Sequence, residues 1–245
     1  MASLKTILVG RRLWNFANYR LAWHRSSLKS YWKVGSCDTI RHQGYSSVSD
    51  EHPVSRYPIP ELKELPQDMQ DQISEVAEKS GFAPNVFKAL AHRPAEFRAF
   101  FAFYDALMNK ETGSLTKADK EMIVVATSSH NSCLYCVISH SALFRIYSKN
   151  QTLADQVAVN WECAELDPRQ RAILEFAMTV CKSETITEDH FKKLEKHGLD
   201  REDAWDIGAI TAFFALSNRM AHLTDMRPNK EFYLIGRVPK SEQDK

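Results

Sequence analysis

Cys133 and Cys136 stand three positions apart, His140 follows Cys136 by four, and Glu121 precedes Cys133 by twelve. Three and four residues are one turn of an α-helix, so this spacing stacks two thiols and an imidazole along one helical face. Cys133 falls at the predicted start of its helix, where unpaired N–H groups and the helix dipole favour a thiolate. The thiolate is the reactive form, because a neutral thiol with a pKa of about 8.5 is a poor nucleophile. His140 can take or pass a proton near neutral pH. Glu121 lies on the preceding helix, and an antiparallel pairing brings its carboxylate to the imidazole or to a cysteine, as an orienting group. With a hydroperoxide, one thiolate attacks the O–O bond and becomes a sulfenic acid. The second cysteine condenses with it to a disulfide, and an external dithiol must then reduce the pair.

Two other readings of these residues stay open. His130, Cys133, Cys136 and His140 supply four potential zinc ligands, although three would project from one helix where structural sites usually draw on separated elements. The pair can also be two inert buried cysteines. A thioredoxin domain is disfavoured, since its cysteine pair follows a strand and no strand pattern precedes Cys133. Among the remaining candidates, His130 sits in a polar break before the site, as a cap or an accessory proton carrier. Tyr135, between the cysteines, shields them, donates a hydrogen bond or simply packs. Cys163 and Cys181 have apolar neighbours and read as small core side chains. Arg219 and His222 read as packing or interface residues, and the aromatics from Phe97 to Tyr104 as core.

The elements that must hold this site are all helical in pattern. Pro66 opens a helix with Ile73, Val76 and Ala77 inward, closed by Gly81. A short helix runs from Pro84 to about His92, and another from Pro94 to about Asn109 carries Phe97, Phe100, Phe101 and Tyr104. Thr116 and Asp119 form a capping box for the helix bearing Glu121. Ser128 to Ser132 reads as a break, and the cysteine helix then runs to about Tyr147. Asp167 caps a helix to about Lys182, Thr187 one ending at Gly198, and Asp200 a long last helix. The predicted fold is an all-α helical bundle, a single domain at 61–237 after a disordered N-terminal segment, with a polar tail at 238–245.

Composition narrows the remaining choices. The chain has 245 residues, 44% of them apolar, which is enough for a full core. A net charge of +1 gives no concentrated basic face for nucleic acid. No apolar run reaches bilayer length, and the expectation is a soluble protein with no membrane partner. Five cysteines with one tight pair suit a reducing compartment rather than a disulfide framework. Every charged side chain before Asp38 is basic, and apolar residues interleave with arginines and serines. That pattern predicts a mitochondrial transit peptide over 1–45, hence a matrix location, with a cytoplasmic protein carrying a basic tail as the alternative. Cys37 would leave with the peptide. Residues 46–60, with Pro53, Pro58 and Pro60, read as a linker.

Glu121, Cys133, Cys136 and His140 together resemble the signature of the alkylhydroperoxidase D-like proteins, within the carboxymuconolactone decarboxylase superfamily. The stretch Ser129 to His140 is similar to the peroxidase-related branch, as are Gly81 to Phe87, Arg93-Pro94 and Asn218-Arg219. The resemblance runs from about Pro60 to Arg237. It implies an AhpD-like helical fold that assembles as a homo-oligomer, with thiol peroxidase chemistry and no metal, haem or other cofactor. It implies further that Cys136 is the peroxidatic residue, Cys133 the resolving one, and Glu121 with His140 the proton relay. The helix-terminus argument instead favours Cys133 as the thiolate. The best-known peroxidase members carry a histidine where this chain has Tyr135, which removes one proton carrier. Decarboxylase members lack the cysteine pair, so decarboxylation is not expected. The expected function is a thiol-dependent hydroperoxidase of peroxiredoxin type, consuming a hydroperoxide with a lipoyl or thioredoxin-like dithiol. A disulfide oxidoreductase and a non-catalytic redox-sensing oligomer are the alternatives.

Overall fold

Sequence signals for helix ends are obeyed closely along the chain. The computed structural model describes residues 53–237. The expected transit peptide, Cys37, positions 46–52 of the expected linker and the polar tail lie outside the described residues. Pro66 precedes α1 (Gln67–Ser80), which ends on Gly81 in a left-handed conformation at φ +88°, where a side chain would be strained. α2 (Asn85–Leu90) and α3 (Pro94–Met108) follow, the latter with proline in its first turn. The Thr116–Asp119 capping box opens α4 (Lys117–His130). α5 (Leu134–Ser148) carries the cysteine pair, and α6 (Leu153–Asn160) runs into a 3₁₀ turn at Trp161–Cys163. Asp167 caps α7 (Pro168–Cys181), Thr187 precedes α8 (Glu188–Glu195), and Asp200 caps α9 (Arg201–Thr224). A single turn, α10 (Glu231–Leu234), comes after the helix expected to be last. All regular structure among the described residues is helical, as the patterning predicts for one all-α domain.

α4 is the centre of the bundle. Every residue from Asp119 to Ser128 is buried, so the helix has no solvent face, and α5, α6, α7 and α9 pack around it. A helix enclosed on all sides is stabilised by its apolar residues. Met122, Ile123, Val124 and Val125 have no exposed surface and contribute about 1.5–3 kcal/mol each. Its polar residues must then find partners, since an unpaired buried polar group costs about 1–3 kcal/mol. Lys120 donates to the carbonyls of Leu107 and Lys110 at 2.9 and 2.8 Å. Asp119 accepts from Arg169 of α7 at 2.9 Å while holding the cap. Glu121 is satisfied inside the site.

The break expected from Ser128 to Ser132 is shorter than the composition suggests. Ser128, Ser129 and His130 continue α4, because Asn218 donates to Ser128 Oγ at 2.9 Å and Ser129 donates to the carbonyl of Ala158. Only Asn131, Ser132 and the N-cap residue Cys133 join α4 to α5, so the two helices form a tight antiparallel hairpin. Ser132 takes a left-handed φ of +54° to make that turn, at a cost of about 1–2 kcal/mol for a residue with a side chain.

A second apolar cluster lies where α1, α2 and α3 meet. The ring of Phe87 stacks on that of Phe101 with centroids 4.1 Å apart, and Phe97 fills the space beside them. The described part of the expected linker, 53–60, is not helical, and its backbone is tied to the end of α9. Arg56 N–H donates to the carbonyl of Thr224 at 2.7 Å, and Arg227 N–H to that of Val54 at 3.3 Å.

Candidate active site

The α4–α5 hairpin fixes the register that sets Glu121 opposite His140. His140 Nδ1–H donates to Glu121 Oε2 at 2.6 Å, and both side chains are almost wholly enclosed. The ring of Phe214 on α9 meets the imidazole edge-on at 4.7 Å. With Nδ1 committed to the carboxylate, Nε2 is the nitrogen left to exchange a proton. This is the antiparallel juxtaposition that the spacing predicts.

Cys133 and Cys136 occupy the N-terminal turn of α5, each with 1% of its surface exposed. Cys136 is helical, but Cys133 is the N-cap, with extended backbone at φ −87° and ψ 97°. The expectation that three side chains project from one regular helix is therefore corrected: Cys136 and His140 do, and Cys133 enters from the turn. At that position the Cys136 thiol donates to the Cys133 sulfur and holds Cys133 down at about 6, against the opposing effect of burial. The Cys136 backbone N–H, the charge of His222 and the amide of Asn218 add to the effect. The Cys136 thiol is driven well above its ordinary range, by its bond to Cys133 and by burial. The pair thus holds one thiolate and one thiol, with Cys133 as the thiolate. Cys136 Sγ also lies 3.7 Å from Ser217 Oγ.

The two halves of the site are not joined directly. Among the described residues, hydrogen bonds tie Glu121 to His140 and the sulfurs to each other, Ser217 and Asn218, and none runs from the imidazole to either sulfur. Tyr135 points away from a relay role. Its buried hydroxyl accepts the Val86 N–H at 3.1 Å, so it pins the start of α2 over the cysteines. Val86 and Ala89 of α2, with Ala221 of α9 and Met226 just beyond its end, form the apolar cover of the pair. Asn85 and Asn229 clip that cover shut: Asn85 N–H donates to Asn229 Oδ1 at 2.8 Å, and Asn85 Nδ2 to the carbonyl of Arg227 at 2.9 Å.

Other expectations change. His130 is exposed at the last position of α4 rather than in a loop. Among the described residues no group of three or more His, Cys, Asp or Glu side chains is gathered closely enough to hold a metal ion. Cys163 is exposed rather than core, because the 3₁₀ turn at Trp161–Cys163 buries none of its residues. Cys181 is half-buried, with its sulfur 3.9 Å from both the Thr127 carbonyl and Asn131 Oδ1. Asn131, Ser217, Asn218 and His222 surround the cysteines; sequence reasoning assigned His222 a packing or interface role and Asn218 a place in the family resemblance, and put none of the four at the site. Their signal was the spacing 217, 218, 221, 222 on one face of α9, visible only once that face is known to meet the 128–133 turn.

An all-helical bundle with a CxxC pair at a helix start and a buried Glu–His pair beside it defines a narrow class of proteins. Residues 94–178 match the Carboxymuconolactone decarboxylase family. The fold is similar to the crystal structure of an alkylhydroperoxidase AhpD core, a peroxidase-related protein from Ralstonia eutropha JMP134. That likeness has 62% identity and a TM-score of 0.75, covering 77% of this chain and all of the other. It is also similar to a peroxidase-related protein from Silicibacter sp. TM1040, at 36% identity and TM-score 0.72, covering 78% of this chain and all of that one. The debrominase Bmp8 shares the fold at 19% identity and TM-score 0.61, covering 77% and 98% of the two chains. No curated protein matches. The chain belongs to the AhpD-like, peroxidase-related proteins of the carboxymuconolactone decarboxylase superfamily.

Proposed function

We propose that this protein is a thiol-dependent hydroperoxidase with Cys133 and Cys136 as its redox pair. The observation that carries this reading is the placement of two buried cysteines at the start of α5 with the buried Glu121–His140 hydrogen bond on the same hairpin. The Cys133 thiolate attacks the terminal oxygen of a hydroperoxide, the O–O bond breaks, and the leaving alkoxide takes a proton to become an alcohol. Cys133 is then a sulfenic acid. The Cys136 thiol attacks it, losing its proton, and water leaves as the disulfide forms. A lipoyl or thioredoxin-like dithiol returns both electrons and both protons. Glu121 and His140 manage the proton at Cys136, His140 standing one turn beyond it on α5. The family resemblance gives the first attack to Cys136, and the acidity of Cys133 argues for the reverse order. The same reading includes action in the mitochondrial matrix and self-association.

Peroxide consumption by reduced protein with a dithiol should vanish in both Cys133→Ser and Cys136→Ser. After one peroxide pulse, Cys136→Ser should accumulate a sulfenic acid at Cys133 that a dimedone probe captures, and Cys133→Ser should not. Capture at Cys136 instead restores the order that the family implies. A Cys133–Cys136 disulfide that forms without any turnover would favour the redox-sensing oligomer.

A further inference from the structure

His222 lies outside the Glu121–His140 pair, yet it closes a polar strut that ends on Cys133. α9 presents Asn218, Ala221 and His222 toward the 128–133 turn, Ala221 within the apolar cover of the cysteines. His222 Nε2–H donates to the Asn131 carbonyl at 3.1 Å. The Asn131 side-chain amide donates to Asn218 Oδ1 at 2.9 Å, and Asn218 reaches both sulfurs. The turn so held contains the left-handed Ser132, and its backbone bonds back to α4 run from Asn131 N–H to the Thr127 carbonyl at 3.1 Å, and from Ser132 N–H to the Ser129 carbonyl and Cys133 N–H to that of Ser128, both at 2.9 Å. A carbonyl only accepts, so Nε2 carries a proton. The imidazole is exposed, whereas Cys133 is sealed.

We infer that His222 is a positioning residue for the Cys133 thiolate: one ring nitrogen clamps the turn ahead of α5, and the ring's charge stands beside the buried sulfur from the solvent side. Its charge is among the influences that favour the ionised sulfur. The other titratable or charged groups facing this turn are Cys136 from α5, Cys181 from α7, and Arg219 and Lys182, whose charges act on Cys181. All of them remain when His222 is changed. The inference rests on the hydroperoxidase reading only for the use made of the thiolate.

The test is an ultraviolet titration of thiolate in the fully reduced, full-length protein, with Cys133→Ser as the blank that removes the low-pH step. His222→Gln keeps a donor and loses the charge, and should raise the midpoint of that step by roughly half a unit to one unit. That is a three- to ten-fold loss of thiolate below the midpoint. His222→Arg, which keeps donor and charge, should return the step to its wild-type position, and high salt should narrow the gap between Gln and wild type. A His222→Gln titration superposing on wild type overturns the inference, as does an equal shift in Gln and Arg. If the step moves as expected while no variant consumes peroxide, the inference stands and the hydroperoxidase reading falls.

Discussion

At Cys133 the decisive quantity is how a single proton is shared. An isolated thiol has a pKa of about 8.5, whereas Cys133 is held at about 6 by the Cys136 thiol, the α5 backbone and nearby polar groups. The sign is that of a depressed acid: the thiolate is present above about pH 6 and is lost as pH falls through that value. The second-order rate of peroxide with reduced protein should therefore be half-maximal near pH 6 and level by roughly pH 7–8. A stopped-flow pH profile still climbing at pH 8 would show an ordinary thiol. The sequence made Cys133, Cys136, His140 and Glu121 legible because their chemistry requires fixed helical spacing. It named Asn218 and His222 without placing them at the cysteines, because their partners are some 90 positions away. It misjudged Cys163 because apolar neighbours in sequence do not bury a residue when a 3₁₀ turn faces it outward.

Single elements explain why Tyr135 can stand where well-known relatives carry histidine. α2 has six residues, too few to be stable alone, and it must be fastened to lie over the cysteines. Tyr135 supplies one fastening through Val86 N–H, and Asn85 with Asn229 supplies another. Tyr135→Phe removes the acceptor and leaves that amide unpaired, so urea unfolding should show a loss of about 1–2 kcal/mol. Peroxide turnover should survive. Wild-type stability in Tyr135→Phe would mean that α2 is held without the hydroxyl. Helix ends were readable from caps and glycine at Pro66, Gly81, Thr116, Asp167 and Asp200, since each signal acts within one turn. α6 was not, because Leu153, Ala154 and Val157 keep helical spacing over only eight residues, too few for the periodicity to stand out. The length of α4 was not either, because serines that read as a break are helical when the bundle satisfies them.

Across the whole molecule, α9 has two working faces. One covers the cysteines. The other, with α3, lines an apolar groove of about 520 Å³ where Phe103, Leu216 and Leu223 remain about half exposed. Contiguous apolar surface of this kind marks interaction sites, and in a self-associating protein a second copy would cover it. Light scattering after size exclusion should give a multiple of the 28.1 kDa chain, and a Leu216→Glu, Leu223→Glu double variant should reduce it toward one chain. An unchanged assembly would place the interface elsewhere.

The sealing of both sulfurs has a kinetic corollary. When reactive atoms have almost no exposed surface, a reagent meets them only after the cover has parted, a unimolecular event in which the reagent takes no part. At low peroxide the rate should follow concentration. On the hydroperoxidase reading it should level off at high peroxide at the opening rate of the cover, and hydroperoxides of very different intrinsic reactivity should then share one ceiling.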